Sequence, residues 1–343
     1  MTEAQAVNKS GHAGLPPPLS ENLPDTGKTV PAGAGGFATT FRRFRHYPSG
    51  MIAIVILVLI VLGCILVPIF SPFDPNVLSP LAAFATPGTV DPFNGQVHWI
   101  GADGLGRDFL IRIFLGGRAT LALAAVATLI TVFIGTLLGL IAGYFGGIVD
   151  TILMRSTDFL LALPILPMYI FGYRLLISTV VRDQFLQETQ GGITLTLAAF
   201  SIFGWMGISR LVRGQLLVLK SQNYIEASKA LGGRGVHIIW KHLLPNSFST
   251  IAVAITVQVA DLIIWESIMS YLVQGIFDPP VPSWGNMIVN SINQINNLVN
   301  LNPFSDIRPW LFLLPTIMVF ITVLCLNYIA DTLIDVLNPR ATA

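Results

Sequence analysis

The feature that most constrains this chain is its series of long uncharged apolar runs. The plainest is Met51 to Phe70, where no charged residue interrupts the run. An α-helix rising about 1.5 Å per residue needs roughly 18 to 20 apolar residues to cross the hydrocarbon core of a bilayer, and several runs here reach that length. Composition agrees with this solvent: 53% of the residues are hydrophobic and 11% charged, where an ordinary soluble domain carries roughly 25% charge. Mean hydropathy is +0.71. The reading is an all-α integral membrane protein that crosses the bilayer repeatedly.

Six transmembrane helices are predicted, over residues 51–71, 119–146, 150–172, 191–212, 247–272 and 309–331. Residues 1–50 are rich in Pro, Gly and polar groups, with Pro16-Pro17-Pro18 among them, and read as a disordered cytoplasmic tail with no cleavable signal peptide. Arg42, Arg43 and Arg45 stand directly before the first crossing, so the positive-inside rule holds the amino terminus in the cytoplasm. With both termini cytoplasmic, thirteen of the 19 Lys and Arg residues lie on the inner side. Arg107, Arg112, Arg118, Arg174, Arg182 and Arg308 lie outside, and an inverted topology reverses the bias. The implied organisation has an extracytoplasmic loop at 72–118 and a five-helix core at 119–331. That core contains a cytoplasmic loop at 213–246, and a cytoplasmic tail follows at 332–343. Arg155, Asp158, Pro164 and Pro167 interrupt the third crossing.

A search for chemistry returns negatives. A net charge of +1 carries no bias toward nucleic acid, so the partner solvent is the lipid bilayer. Cys64 and Cys325 sit in apolar spans and read as small hydrophobes. No G-x-x-x-x-G-K-[ST] loop offers a nucleotide site, and His12, His46, His98, His237 and His242 never take the H-E-x-x-H spacing of a helical metal site. Gly101-Ala102-Asp103-Gly104-Leu105-Gly106-Arg107-Asp108 lacks the alternating oxygen ligands of a calcium loop and reads as a structural turn. No catalytic residue, metal or cofactor is expected in this chain.

The segment between the fourth and fifth crossings is different in kind. Tyr224-Ile225-Glu226-Ala227-Ser228-Lys229-Ala230-Leu231 is rich in helix formers and stops at Gly232-Gly233, where glycine suits the positive φ of a helix end. Val236, Ile239, Trp240 and Leu243 then recur at i, i+3, i+4 and i+7, which predicts a second helix with these four on one face. Pro245 is expected to end it. On pattern alone this is a helix, a tight turn and a second helix at the inner membrane surface, and an amphipathic hairpin that merely anchors a loop fits as well.

The spacing Glu226-Ala227, Gly232, then His242-Leu243-Leu244-Pro245-Asn246 resembles the cytoplasmic signature of permease subunits of bacterial and archaeal ABC importers. Ser228 stands where a second alanine is usual and His242 where isoleucine is usual. The His-x-Leu-Pro-Asn form is similar to that of the dipeptide, oligopeptide and nickel permeases, specifically the C-type subunit. The resemblance extends over nearly everything from residue 98 onward. His98-Trp99-Ile100-Gly101-Ala102-Asp103 with Gly106-Arg107-Asp108 looks like the family's external element, and Ala102 departs from its usual threonine. Gly143-Tyr144-Phe145-Gly146-Gly147 with Asp150, Met154, Arg155 and Asp158 looks like its inner turn and third span. Arg155 and Asp158 are i, i+3 neighbours that also fit a plain ion pair. Pro279-Pro280 and Pro282-Ser283-Trp284-Gly285 resemble its second external motif, and Leu337-Asn338-Pro339-Arg340 its ending, with Asn338 replacing an aspartate. Val273 and Gln274 depart from its usual Gly-Leu.

The resemblance implies the type I ABC importer permease architecture in a prokaryotic cell (inner) membrane. It further implies a second homologous permease subunit, two ABC ATPase subunits that hold ATP and magnesium, and an extracytoplasmic substrate-binding protein. It marks Glu226, Ala227, Ser228, Gly232, His242, Leu244 and Pro245 as the contact that couples the ATPase to the pore by alternating access. It marks Gly101, Asp103, Gly106, Arg107, Asp108, Pro282, Ser283, Trp284 and Gly285 as external motif residues. Peptides are the expected cargo, with nickel chelates or oligosaccharides as alternatives and an ion-coupled secondary transporter as a further one. Asp261 and Glu266, carboxylates in the fifth span, are costly there unless paired or facing water. Each reads either as part of a translocation path or as a packing or intersubunit contact.

Overall fold

The computed structural model describes residues 37–71, 74, 76–93, 95–180, 191–233, 235–273, 281–301 and 308–337. The tail up to residue 36, Gln274-Gly275, Pro279-Pro280 and Asn338-Pro339-Arg340 lie outside the described residues, as do Arg182 and Arg234. Within them the chain is helical apart from one segment between the second and third helices. Residues 37–50, expected as unstructured tail, contain helix α1 (Phe37–Phe44) and the start of α2 (Pro48–Phe70). Pro48 sits in the first turn, where its missing N–H costs nothing.

Helix α3 (Phe109–Phe145) is 37 residues long, about 55 Å at 1.5 Å per residue. It begins ten residues before the expected crossing, so Arg112 and Arg118 belong to a helix and not to a loop. Helices α4 (Gly147–Leu161) and α5 (Ile165–Val180) replace the third crossing and meet at 94°. Pro164 breaks the ladder between them because its ring lacks an N–H and clashes with the carbonyl one turn back. Helices α6 (Gly191–Phe203) and α7 (Trp205–Lys220) form one apolar stretch broken only at Gly204. A short helix α8 (Asn223–Ala230) follows. Then come a turn of helix at Gly235–Ile238, a wide π turn at Ile239–Leu243 and helix α9 (Leu244–Leu272). Helix α10 (Trp284–Leu301), which the sequence reading lacked, and α11 (Pro309–Leu337) complete the fold. Five helical stretches are long and apolar enough to span a bilayer, or six if α4 and α5 are one broken span. The architecture is all-helical with five to six candidate crossings.

Helix α3 is the axis around which the others pack. Gly135, Gly139 and Gly143 recur every four residues on its face toward α7. A Cβ on Gly135 would meet Ile208 Cβ and Trp205 O at 2.7 Å, and one on Gly139 would meet Ser209 O at 2.7 Å. Without a water-driven hydrophobic force between helices in lipid, such close backbone approach supplies the packing energy. A buried group of Val132, Leu140, Ile208, Val212 and Leu216 lines the seam. At the other end of α3, Gly117 makes room for Cys64 of α2 and for the Trp284 ring.

Gly139→Val is expected to force α3 and α7 apart and to cost about 1–3 kcal/mol by overpacking. It should lower the apparent unfolding midpoint of the detergent-solubilised protein, whereas Gly214→Ala, whose Cβ meets nothing within 4 Å, should not.

Candidate functional site

The two groups of residues singled out by sequence lie at opposite ends of α3. Ile113 and Tyr144, which touch one group each, are separated by about 45 Å along the helix.

At the first end, the segment 79–108 folds back on the start of α3. Asp103 accepts hydrogen bonds from the backbone N–H of Leu105 (2.9 Å) and of Arg107 (3.0 Å) and from Arg107 Nε (2.8 Å). Arg107 Nη2 lies 2.7 Å from the same carboxylate, and Arg112 Nε lies 3.6 Å away. Asp108 caps α3 by accepting from Ile111 N at 3.0 Å, the ordinary role of an aspartate before a helix. Its other oxygen lies 3.1 Å from Nδ1 of the buried His98, whose Nε2 lies 3.7 Å from Asp91. Gly101 and Gly106 hold φ of +95° and +75°, and a side chain on Gly106 would collide with the Ser79 carbonyl. These residues knit a compact turn against the start of α3.

Ser283, Trp284 and Gly285 form the start of α10, and its orphan N–H groups account for the motif. Trp284 N donates to Thr120 Oγ1 at 3.1 Å and Asn286 N to Ser283 Oγ at 3.1 Å. Gly285 N bonds Glu266. Glu266 is fully buried and also accepts from Ser283 Oγ (2.7 Å) and Ser270 Oγ (3.0 Å), with Thr120 Oγ1 at 3.5 Å. A carboxylate at a helix N-terminus is favoured by the aligned peptide dipoles. A Cβ on Gly285 would lie 2.7 Å from Ser267 Cα, so only glycine lets α10 meet α9 here. Trp284, wholly buried, donates Nε1 to Ile113 O at 2.9 Å. Glu266 is therefore a packing group, one of the two readings it admitted. Thr120 and Ser270 carried no signal in the sequence, since a hydroxyl in an apolar span ordinarily bonds its own helix.

At the opposite end, α8 is pinned by one residue. Ile225 is 0% exposed, within the α3–α7 seam group, while Glu226, Ala227, Lys229 and Ala230 are exposed and Ser228 is half-buried. Burial pushes the Tyr224 phenol upward. Gly233 N bonds Ser228 O and Gly232 N bonds Lys229 O, both at 2.9 Å, with Gly232 at φ +82°. This is the paired closure of a helix by a left-handed glycine. Leu231 just before it is 89% exposed.

The second segment departs from its predicted geometry. Ile238 and Leu243 are buried, and Trp240, expected beside Leu243, is 67% exposed. The π turn explains the shift, because Leu244 N bonds Ile239 O and so aligns residues five apart instead of three or four. Pro245 does not end a helix: it stands in the first turn of α9. The widened turn relieves the clash its ring makes one turn back, and Asn246 Nδ2 donates to His242 O at 2.6 Å. The His242 ring stands 6.1 Å from those of Tyr224 and His237, linking this turn to α8. Leu244 is half-buried and Pro245 exposed.

The turn after α3 braces this end. Asp150 takes both Arg213 Nε and Nη2 at 2.6 Å, a bidentate pairing. Lys220 Nζ donates to Tyr144 O at 2.7 Å, and the Tyr144 ring packs on Gly235. Asp158 pairs with Arg210 at 3.6 Å, not with Arg155 as local spacing suggested.

Residues 135–343 match the family described as binding-protein-dependent transport system inner membrane component, and residues 37–87 match the N-terminal TM domain of oligopeptide transport permease C. The chain is 32% identical over 323 residues to the oligopeptide transport system permease protein OppC of Bacillus subtilis (strain 168), covering 94% of this chain and 96% of that one. It is 32% identical over 299 residues to OppC of Escherichia coli (strain K12), covering 87% and 89%. The glutathione transport system permease protein GsiD of Pectobacterium atrosepticum is 35% identical over 245 residues, covering 71% of this chain and 73% of that one.

Glu266→Ala should leave the Ser270 and Ser283 hydroxyls and the Gly285 N–H without their acceptor, at about 2–3 kcal/mol. Glu266→Gln should fall between it and the parent in thermal unfolding, since an amide oxygen replaces one of the two acceptors. Gly232→Ala should cost about 1 kcal/mol through the left-handed backbone alone, leaving the transmembrane helices intact by circular dichroism.

Proposed function

This chain belongs to the binding-protein-dependent transport system inner membrane components, of the oligopeptide permease C type, and on that premise we propose that it forms half of a peptide-conducting pathway. It is a non-catalytic membrane permease of an ATP-driven importer, which implies ATPase and binding-protein partners. In the proposed assembly a second homologous permease completes the pathway, two ATPase subunits holding ATP and magnesium close on its inner face, and an extracytoplasmic binding protein docks on the outer one. The proposed topology is the six-crossing type I arrangement with both termini cytoplasmic, α4 and α5 being one broken crossing. The outer segment is 72–118, the core 119–331, the inner loop 213–246, and the cytoplasmic ends are residues 1–50 and 332–343. The names of the oligopeptide and glutathione permeases to which the chain is similar support a peptide cargo.

The observation that carries the coupling role is the two-faced packing of α8. A single buried residue, Ile225, ties it to the α3–α7 seam, while Glu226, Ala227 and Lys229 face outward. A lone polar helix bound this way has a free face for a partner and a fixed one that transmits its displacement to two spans. Glu226 acts as a polar contact, Ala227 and Ser228 permit close approach, Gly232 sets the turn, and His242, Leu244 and Pro245 shape the second half. Asp103, Arg107, Asp108 and the Pro282-Ser283-Trp284-Gly285 start of α10 with Gly101 and Gly106 keep the outer face in register.

Affinity purification of the tagged chain from its own membrane should recover a second permease and an ATPase. Glu226→Lys should abolish uptake of a labelled tripeptide and Gly232→Pro should do the same, with membrane abundance of both unchanged by immunoblot. Parental uptake by either variant overturns the coupling assignment.

A further inference from the structure

Asp261 is an exposed carboxylate in the apolar helix α9. It lies on an exposed stripe of α9 with Val257, Ile264 and Tyr271, three turns from the helix end at Leu272. Among the described residues no salt bridge or hydrogen bond engages it. Glu266, five residues on, is by contrast surrounded by donors. A bare carboxylate facing lipid at this depth costs about 3 kcal/mol, and such residues ordinarily face water or a partner.

A largely apolar groove lies beside it. A groove of about 560 Å³ runs between α7, α9 and α11 and ends at Val257 and Gln258, one turn from Asp261. Ser249, Thr250 and Gln258 supply polar groups to an otherwise apolar lining, and Gly207 opens its floor. The groove is mostly apolar, and Asp261 stands on the exposed stripe of α9 one turn beyond Val257.

We propose that Asp261 is a specificity-determining residue of the pathway, holding the cationic amino group of a passing peptide while the apolar groove accepts its side chains. The inference rests on the peptide reading given above. The carboxylate makes a transient ion pair with the ammonium at a depth where water is scarce. That contact lowers the barrier for a free amino terminus and offers nothing to a blocked one.

The test uses cells in which the chromosomal copy is replaced by the parent, Asp261→Asn, Asp261→Glu or a deletion. Uptake of labelled trialanine and of its N-acetyl analogue is measured in each. Asp261→Asn should lower trialanine uptake roughly tenfold relative to the acetylated analogue, and Asp261→Glu should retain the parental ratio. An unchanged ratio in Asp261→Asn, at parental abundance, overturns the inference while leaving the peptide reading in place. Loss of the co-purifying permease from Asp261→Asn also overturns it, by assigning the carboxylate to the subunit interface. Trialanine uptake by the parent no greater than in the deletion strain instead removes the peptide reading itself, and the inference with it.

Discussion

The rest of the structure depends on how closely α3 approaches its neighbours. Helices in lipid gain little by excluding water from one another, so they must gain by contact, and contact at backbone distance requires glycine. Gly135, Gly139 and Gly143 bring α3 against α7, while Gly117 admits Trp284 and Cys64 at the other end. One helix about 55 Å long thereby carries both the Asp103–Arg107 turn and the segment around Ile225. Ile225 of α8 packs in the same group as Val212 and Leu216 of α7.

The two ends are stabilised by different chemistry, each suited to its surroundings. The end of α3 near Ile113 contains buried charge in pairs: Asp103 with Arg107 and Arg112, Asp108 with His98, and Glu266 with hydroxyls and the start of α10. Burial makes these groups costly to separate, which favours a rigid end. At the opposite end a single buried isoleucine and a glycine-closed helix end hold α8, beside the Asp150–Arg213 pair and the Lys220–Tyr144 bond.

Much of this was legible in the residues. The apolar runs, the basic bias and the Glu226 to Pro245 spacing pointed to the membrane, to the family and to a short polar helix ending at Gly232. What was not legible depended on contacts distant in sequence. Glu266 meets Thr120, 146 positions away, and nothing local to either residue announces the other. Arg210 displaced Arg155 as the partner of Asp158 for the same reason. Trp240 and Pro245 were misread because a π turn changes the period on which the face was counted. Helix α10 escaped notice since its Asn-rich sequence is too polar for a crossing and its start is organised by side chains from α3 and α9.

By itself, then, the sequence determined the solvent, the helical class and the glycine that closes α8, because these follow from transfer free energies and backbone sterics that act residue by residue. Only the tertiary structure decided which carboxylates are satisfied. Glu266 and Asp261 lie in one helix five residues apart, in similar apolar surroundings, yet one faces Ser270, Ser283 and Gly285 and the other an open surface. Five residues turn an α-helix by about 500°, so the two point to different sides, and which side meets a donor is settled by the packing of three other helices.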